Sequence, residues 1–473
     1  MNIIKKLLTD YKIFKIYMII QILVQTILVP VAPWMGLVGN SIISIWAFLI
    51  IAYDYFHEKI LFTGKYRFLL YLFLVSVLLS IALNAMNLTE NIQTVIMLVI
   101  QLFVLFSGVK TSKDELHKDL FWTSNILGIV LFICSLIGFT MYCSNITIYK
   151  YTGRYCGIFS NPNIASVLSL AGAVLSILAL CYSHNLKSKL GRVIYKIVHI
   201  TSAIMNFVMF TFANSNNGKL MMALFASSLI FVVCLLIMKF KNMVVKVLIS
   251  SVMAAAVGLF SLFAFNFMQQ TFANLPSIID SVITMISNKG PTLNQEETIP
   301  PSQKFEREEE QKLDNGRVTI WKQGLNAYVH APVFGCGPRN VFNALSKYND
   351  TVHVSVDVGG LHNMFLELLV TTGVVGFLLY MIFFIGIICV IMKYVFKKST
   401  RELNKRNKAI LSVLIGSVVM LIAMNFGESI MLFSASPYAM LFWLFFGYLF
   451  NYVRLGTSDK IELPERKGIS KWM

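Results

Sequence analysis

Twelve apolar runs, each about as long as one bilayer crossing, limit what this chain can become. They cover 16–34, 37–53, 68–86, 92–109, 120–142, 164–183, 197–213, 220–238, 247–266, 363–392, 409–427 and 437–453. In hydrocarbon every backbone N–H and C=O needs a partner inside the protein, so runs of this length fold as helices. The expected fold class is an all-α polytopic membrane protein with about 12 transmembrane helices and one large extracytoplasmic loop. Composition agrees: 13% of residues are charged, where soluble domains carry about 25%. A soluble enzyme, a disordered chain and a nucleic-acid-binding domain are excluded as main readings, and no nucleic-acid partner is expected.

The net charge of +17 is explained by membrane orientation. With the N-terminus inside, 29 of the 40 Lys and Arg fall in the segments assigned to the cytoplasm. The short outer loops hold only Lys150, Arg154 and Lys219, and the rest lie in 267–360, a loop long enough to escape the rule. Both termini are expected in the cytoplasm of a plasma-membrane protein. Splitting 363–392 at Gly373–Gly376 would put the basic cluster Lys393–Lys408 outside, so one long tilted helix is the better reading. Lys5, Lys6, Lys12 and Lys15 precede an apolar run with no small-residue cleavage site after it, the pattern of an uncleaved signal anchor.

Three regions follow: an N-terminal membrane bundle of nine spans (1–266), an extracytoplasmic loop with amphipathic helices (267–362), and a C-terminal bundle of three spans with a cytoplasmic tail (363–473). Within the loop, 273–288 is amphipathic and suited to a membrane surface. Residues 289–316 carry Pro300-Pro301 and an acidic run through Glu310, so a mobile, solvated stretch is expected. Helical spacing returns over 317–330 and ends before Pro332. There is no internal repeat.

The seven cysteines show no Cys-x-x-Cys pair or zinc spacing and read as small core residues, with a Cys143–Cys156 disulfide as an alternative. No metal and no cofactor is expected. The residues suited to chemistry stand beside span ends instead. Arg154 lies in GRYCGIFSNPN, where Asn161-Pro162-Asn163 predicts a turn and an N-cap for the sixth span. A helix N-terminus there favours an anion. Arg317 opens the helix after Asp314-Asn315-Gly316, where its charge opposes the helix dipole and calls for a phosphate or carboxylate partner. Pairing with the acidic run is the alternative. Lys322 and Arg339 are further cationic candidates, each also explicable as a solvated side chain. His362, at the outer end of the tenth span, suits proton transfer, or else an interfacial role bonded to a carbonyl. Glu367 lies deeper, where an ionisable group is a functional candidate that needs a partner. Glu428, ending the eleventh span, ranks below it.

Three blocks then resemble a known family. RYCGIFSNPNIASVL, RVTIWKQGLNAYVHAPVFGCGPRNVF and LHNMFLELLVTTGVVG are similar, in that order, to the motifs of the O-antigen ligase/polymerase superfamily. The resemblance implies a metal-independent membrane glycosyltransferase of the C type, acting on an undecaprenyl-diphosphate-linked glycan at the extracytoplasmic face. It implies that Arg154 and Arg317 hold the diphosphate and that His362 acts on the acceptor hydroxyl as base or positions it; Asn163, Lys219, Lys322, Arg339 and Glu367 stand beside them as this reading's substrate-binding candidates. Where the family often has Ser-Arg-Gly, this chain reads Asn214-Ser215-Asn216-Asn217-Gly218-Lys219, which leaves open whether Lys219 replaces an arginine.

The expected function is a polymerase that joins lipid-linked repeat units into a capsular or O-antigen-type polysaccharide. Donor and acceptor glycans, membrane lipids, a flippase and a chain-length regulator are the partners implied. A ligase, moving the chain to a different acceptor, is the alternative. A lipid-linked-glycan flippase is a second one, disfavoured because the ionisable set sits at span ends and no inverted repeat is seen.

Overall fold

The computed structural model describes residues 9–28, 32, 34–58, 66–107, 112–149, 151, 153–287, 316–352, 356, 360–429 and 431–458. The acidic stretch expected to be mobile and the C-terminal tail lie outside these, Gly316 and the end of the last helix apart. The described residues form no strands. Their main helices are α1 (Tyr11–Leu28), α2 (Trp34–Glu58), α3 (Arg67–Asn84), α4 (Leu88–Ile100, continued by a π-helical stretch Gln101–Phe106), α5 (Lys113–Cys143), α6 (Pro162–Leu180), α7 (Lys189–Phe212) and α8 (Asn216–Ile237). They continue with α9 (Met243–Ala273), α10 (Leu275–Ser287), α11 (Arg317–Val329), α12 (Val341–Tyr348), α13 (Met364–Phe396), α14 (Lys405–Met424) and α15 (Pro437–Ser458). Among the described residues 11 helices are long and apolar enough to cross a membrane, and α1 overlaps the remaining expected span. The protein is an all-α, multi-pass membrane protein. The amphipathic segment after the ninth span is helical, as α10.

By packing, the chain divides into two compact units, one from residues 1–120 and 312–463, the other from 121–311 with 464–473. In the first unit, α15 and the π-helical stretch form an aromatic core. Phe106 stacks on Phe446 and Phe450 with centroids 4.9 and 5.1 Å apart and meets Trp443 edge-on. Lys15 and Asp119, both buried, pair at 2.9 Å and tie α1 to the start of α5. In the second unit, polar side chains join α5, α6 and α7. Ser135 donates to Asn206 at 2.8 Å, Ser176 and Ser202 share a 2.7 Å bond, and the Nε2 of His199 lies 3.0 Å from the side-chain oxygen of Asn125. Apolar burial gives helices little reason to associate in lipid, so such bonds and small residues hold them together.

One helix departs from the expected single run. α13 is interrupted at Gly373, whose φ of 64° and ψ of −174° are not helical. The segment 332–337 lies against the interruption and exchanges backbone bonds with it. Cys336 and Gly337 donate to the carbonyls of Val370 and Thr371 at 3.0 and 2.9 Å. Val374 and Val375 donate to Pro332 and Val333 at 2.8 and 3.3 Å. Ser80 and Asn84 of α3 add bonds to Thr371 and Gly335 carbonyls at 2.7 and 2.9 Å. The run 374–396 alone is long enough to cross a bilayer.

Gly335 (φ 69°) and Gly373 have no room for a side chain: a Cβ on either would overlap the other segment's backbone. Gly335→Ala and Gly373→Ala should each destabilise the protein by about 2 kcal/mol or more, read as an earlier thermal transition in detergent. Gly191→Ala, where a Cβ meets nothing closer than 3.5 Å, should stay within about 0.5 kcal/mol of the parent.

Candidate functional site

In the first unit the site is built where α11, the turn before α13 and the segment after α14 meet. α11 packs on α13 through Ile320, Gly324 and Ala327, and Gly324 leaves the space that Leu361 fills. The Trp321 indole donates to the Leu361 carbonyl at 3.0 Å, which ties the helix to the turn carrying His362. That turn is unusual: Gly360 and His362 both adopt left-handed backbone, at φ 64° and 50°. A side chain at Gly360 would overlap the Glu367 carboxylate. Glu367 is 9% exposed and accepts from the Leu361 amide at 3.0 Å and from the Ser429 hydroxyl. Ser429 in turn accepts from the Asn363 amide at 3.0 Å, and Asn363 caps α13 by accepting from Phe365 and Leu366. Glu367 has its partners in the turn and in the segment after α14.

The turn presents His362 to Glu428. Its Nδ1 lies 3.0 Å from one carboxylate oxygen of Glu428, and the Nη2 of Arg317 donates to the other at 3.2 Å. All three side chains are mostly buried, at 19%, 13% and 20% exposure. An ionised carboxylate only accepts, so Nδ1 is the donor in this bond, and in the neutral form of the ring Nε2 is then the nitrogen with the lone pair. Arg317 therefore has the carboxylate partner that its place at a helix N-terminus calls for. The structure brings Arg317 and His362 together through Glu428, which the sequence marks only as an acidic residue closing an apolar run.

Arg339 is committed elsewhere in this unit. Its Nε donates to Thr94 at 2.9 Å, its Nη2 to the Phe433 carbonyl at 3.2 Å, and its backbone to Asn91 at 3.0 Å. Lys322 is exposed on α11, outside the Arg317–Glu428–His362 cluster.

The second unit holds the other candidates. Tyr155 is packed with Tyr142 and Phe212, and its amide donates to the Phe212 carbonyl at 2.9 Å. This fixes the neighbouring Arg154. The half-buried guanidinium donates to the Asn163 side-chain oxygen at 2.6 Å and to the Ala213 carbonyl at 3.2 Å. Asn163 also accepts from Ser215 at 3.0 Å. Asn161 caps α6 by accepting from the Asn163 amide, and Ser215 caps α8 by accepting from the Gly218 amide. Arg154 thus stands where two helices begin, and their positive ends add to its charge in favouring an anion. Lys219, in the first turn of α8, holds its ammonium 4.9 Å from the centre of the Phe265 ring.

None of the seven cysteines is in a disulfide, Cys143 and Cys156 included. Burial pushes the Cys156 thiol up to about 11 and the Cys336 thiol up to about 12. Among the described residues, no three His, Cys, Asp or Glu side chains gather as a metal-ligand set. Both thiols stay protonated at neutral pH, because a raised pKa keeps the neutral form until the pH climbs past it. A maleimide at pH 7.5 should therefore leave Cys156 and Cys336 unlabelled in the folded protein and label them after denaturation, as read by peptide mass spectrometry.

A search of curated proteins found no match to the chain. Residues 204–381 do match the model of a protein family, described as O-antigen ligase. The matched stretch holds Lys219, Arg317, His362 and Glu367, and the likeness supports the resemblance to the O-antigen ligase/polymerase superfamily.

Proposed function

We propose that the protein is a polysaccharide polymerase that joins undecaprenyl-diphosphate-linked oligosaccharide repeat units at the outer face of the plasma membrane. The family supports a glycosyltransferase-like reaction of the O-antigen ligase and polymerase type. The observation that carries the site assignment is the Glu428 carboxylate, bonded at once to Arg317 and His362.

The chemistry follows from that bridge. With Nδ1 held by Glu428, the Nε2 of His362 accepts the proton of an acceptor sugar hydroxyl. The hydroxyl oxygen bonds to the anomeric carbon of the donor as the bond from that carbon to the lipid diphosphate breaks. The electron pair leaves on the diphosphate. Glu428 stabilises the imidazolium formed, as the buried carboxylate does in a Ser-His-Asp triad. Arg317 spends one N–H on Glu428, which leaves Nε and Nη1 for phosphate oxygens on the departing diphosphate. Arg154, in the second unit, is proposed as an anion-binding residue in its own right, on its motif and on the two helix N-termini beside it. The reaction draws on the diphosphate leaving group and needs no nucleotide.

The description of the matched family favours a second reading, in which the same centre passes the glycan to a different acceptor as a ligase does. The purified protein, reconstituted with a lipid-linked repeat unit as both donor and acceptor, separates the two: a ladder of lengths supports polymerase, and no elongation supports ligase.

His362→Asn, which tolerates the left-handed backbone, should lower transfer by about 10²–10⁴-fold. Arg317→Lys, which keeps the charge and loses the fork, should lower it by about tenfold or more. In cells both should leave single repeat units on the lipid. Full-length polymer from both variants overturns the assignment.

A further inference from the structure

The far end of α11 carries a flat ring surface that the transfer centre does not use. The His330 imidazole lies face to face with the Tyr348 phenol ring, with centroids 3.9 Å apart and planes 9° from parallel. The Lys347 ammonium lies 5.2 Å from the centre of the same Tyr348 ring. His330 and Lys347 are exposed, and Tyr348 is half-buried. Asn326, also exposed, fixes the pair in place by donating to the Tyr348 carbonyl at 2.7 Å and to Asn349 at 3.2 Å. One helical turn back, the Gln323 side-chain oxygen is buried without a donor, which costs free energy until one arrives.

This combination fits one ligand chemistry. A pyranose ring has an apolar face of C–H groups and a rim of hydroxyls. It lies on a flat ring with an exposed face, and its rim is held by amide and ammonium groups at the edge. His330 supplies the face, and Asn326 and Lys347 supply the edge. Rings of this kind combine an apolar body with polar atoms and lose little conformational freedom on binding. The position is informative too. α11 is 13 residues long, so at 1.5 Å per residue His330 stands roughly 20 Å from Arg317 along the helix. That is too far for the reacting sugar and suits a sugar further along the same chain.

We propose that His330 and Tyr348 form a second glycan-binding subsite, which holds a sugar of the polysaccharide several residues away from the bond being made. The inference rests on the glycosyl-transfer reading above. Tethering the chain at this distance raises the effective concentration of its end at the transfer centre, so successive additions outrun release.

The test uses the full-length protein in lipid with lipid-linked repeat units. In His330→Ala and Tyr348→Leu, joining of two single repeat units should keep its rate, while the ladder shifts to products several-fold shorter. His330→Trp restores a flat face and should restore the long products, an outcome that a merely structural role for His330 does not give. Parallel reactions offer the long chain either as donor or as acceptor, and the arm that slows in His330→Ala identifies which glycan uses the subsite. A wild-type ladder from both His330→Ala and Tyr348→Leu overturns the proposal. If the parent protein joins no repeat units at all, the polymerase reading fails instead. The subsite is then tested alone, by titrating the protein with the released oligosaccharide. Several-fold weaker binding by His330→Ala supports it, and unchanged binding rejects it. Melting temperatures equal to the parent's establish that the variants fold, and His330→Gln replaces any that do not.

Discussion

A backbone group in hydrocarbon has no water to bond to, so any interruption of a membrane helix must be met by other protein atoms. The break at Gly373 is met in this way. The carbonyls and amides freed around it bond to Pro332, Val333, Cys336 and Gly337, and α3 contributes Ser80 and Asn84. The motif PVFGCGPRN therefore reads as a backbone plug for an interrupted helix. Its glycines are needed because the two segments approach more closely than a side chain allows. The plug also lies between α11 and α12, so the same bonds that satisfy the break fix the helix whose first residue is Arg317.

From that anchor the geometry of the centre follows. Trp321 fastens α11 to the Leu361 carbonyl, Glu367 fastens the Leu361 amide, and His362 is left in a left-handed conformation facing Glu428. Backbone of this kind is unfavourable for a non-glycine residue and persists only where its surroundings hold it. Here the hold is a set of hydrogen bonds from α11, α13 and the segment after α14. Glu428 is bonded to both side chains, so one carboxylate balances the arginine and orients the histidine ring.

The second unit uses polar groups in two ways. Within the bundle, Ser135, Asn206, Ser176 and Ser202 bond to each other across α5, α6 and α7 and are consumed in holding those helices together. At the ends of α6 and α8 the same residue types cap helices and share Asn163 with Arg154. Position decides the use. In a span a polar side chain must find a protein partner. At a helix start it leaves other N–H groups pointing outward, next to the arginine.

The helices were legible in the sequence because their cause is one-dimensional. A run of apolar residues long enough to cross a bilayer has few other fates, and the twelve runs reappear as α1–α9 and α13–α15. The N-cap at Asn161, the helix opened by Arg317 and the stop before Pro332 were legible for the same reason, since each depends on neighbours within a few residues. The roles of Glu428, Ser429 and Asn84 were not. Each acts on a residue far away in the chain: Glu428 on Arg317 and His362, Ser429 on Asn363 and Glu367, Asn84 on Gly335. The interruption at Gly373 was equally hidden, because a glycine in an apolar run is compatible with an unbroken helix. It becomes a break only when another segment is positioned to accept the freed backbone groups. The sequence by itself determined which runs are long and apolar enough to cross a membrane and which charged groups stand at their ends. The tertiary structure alone decided which of those groups meet, because a hydrogen bond depends on distance in space and not on separation along the chain.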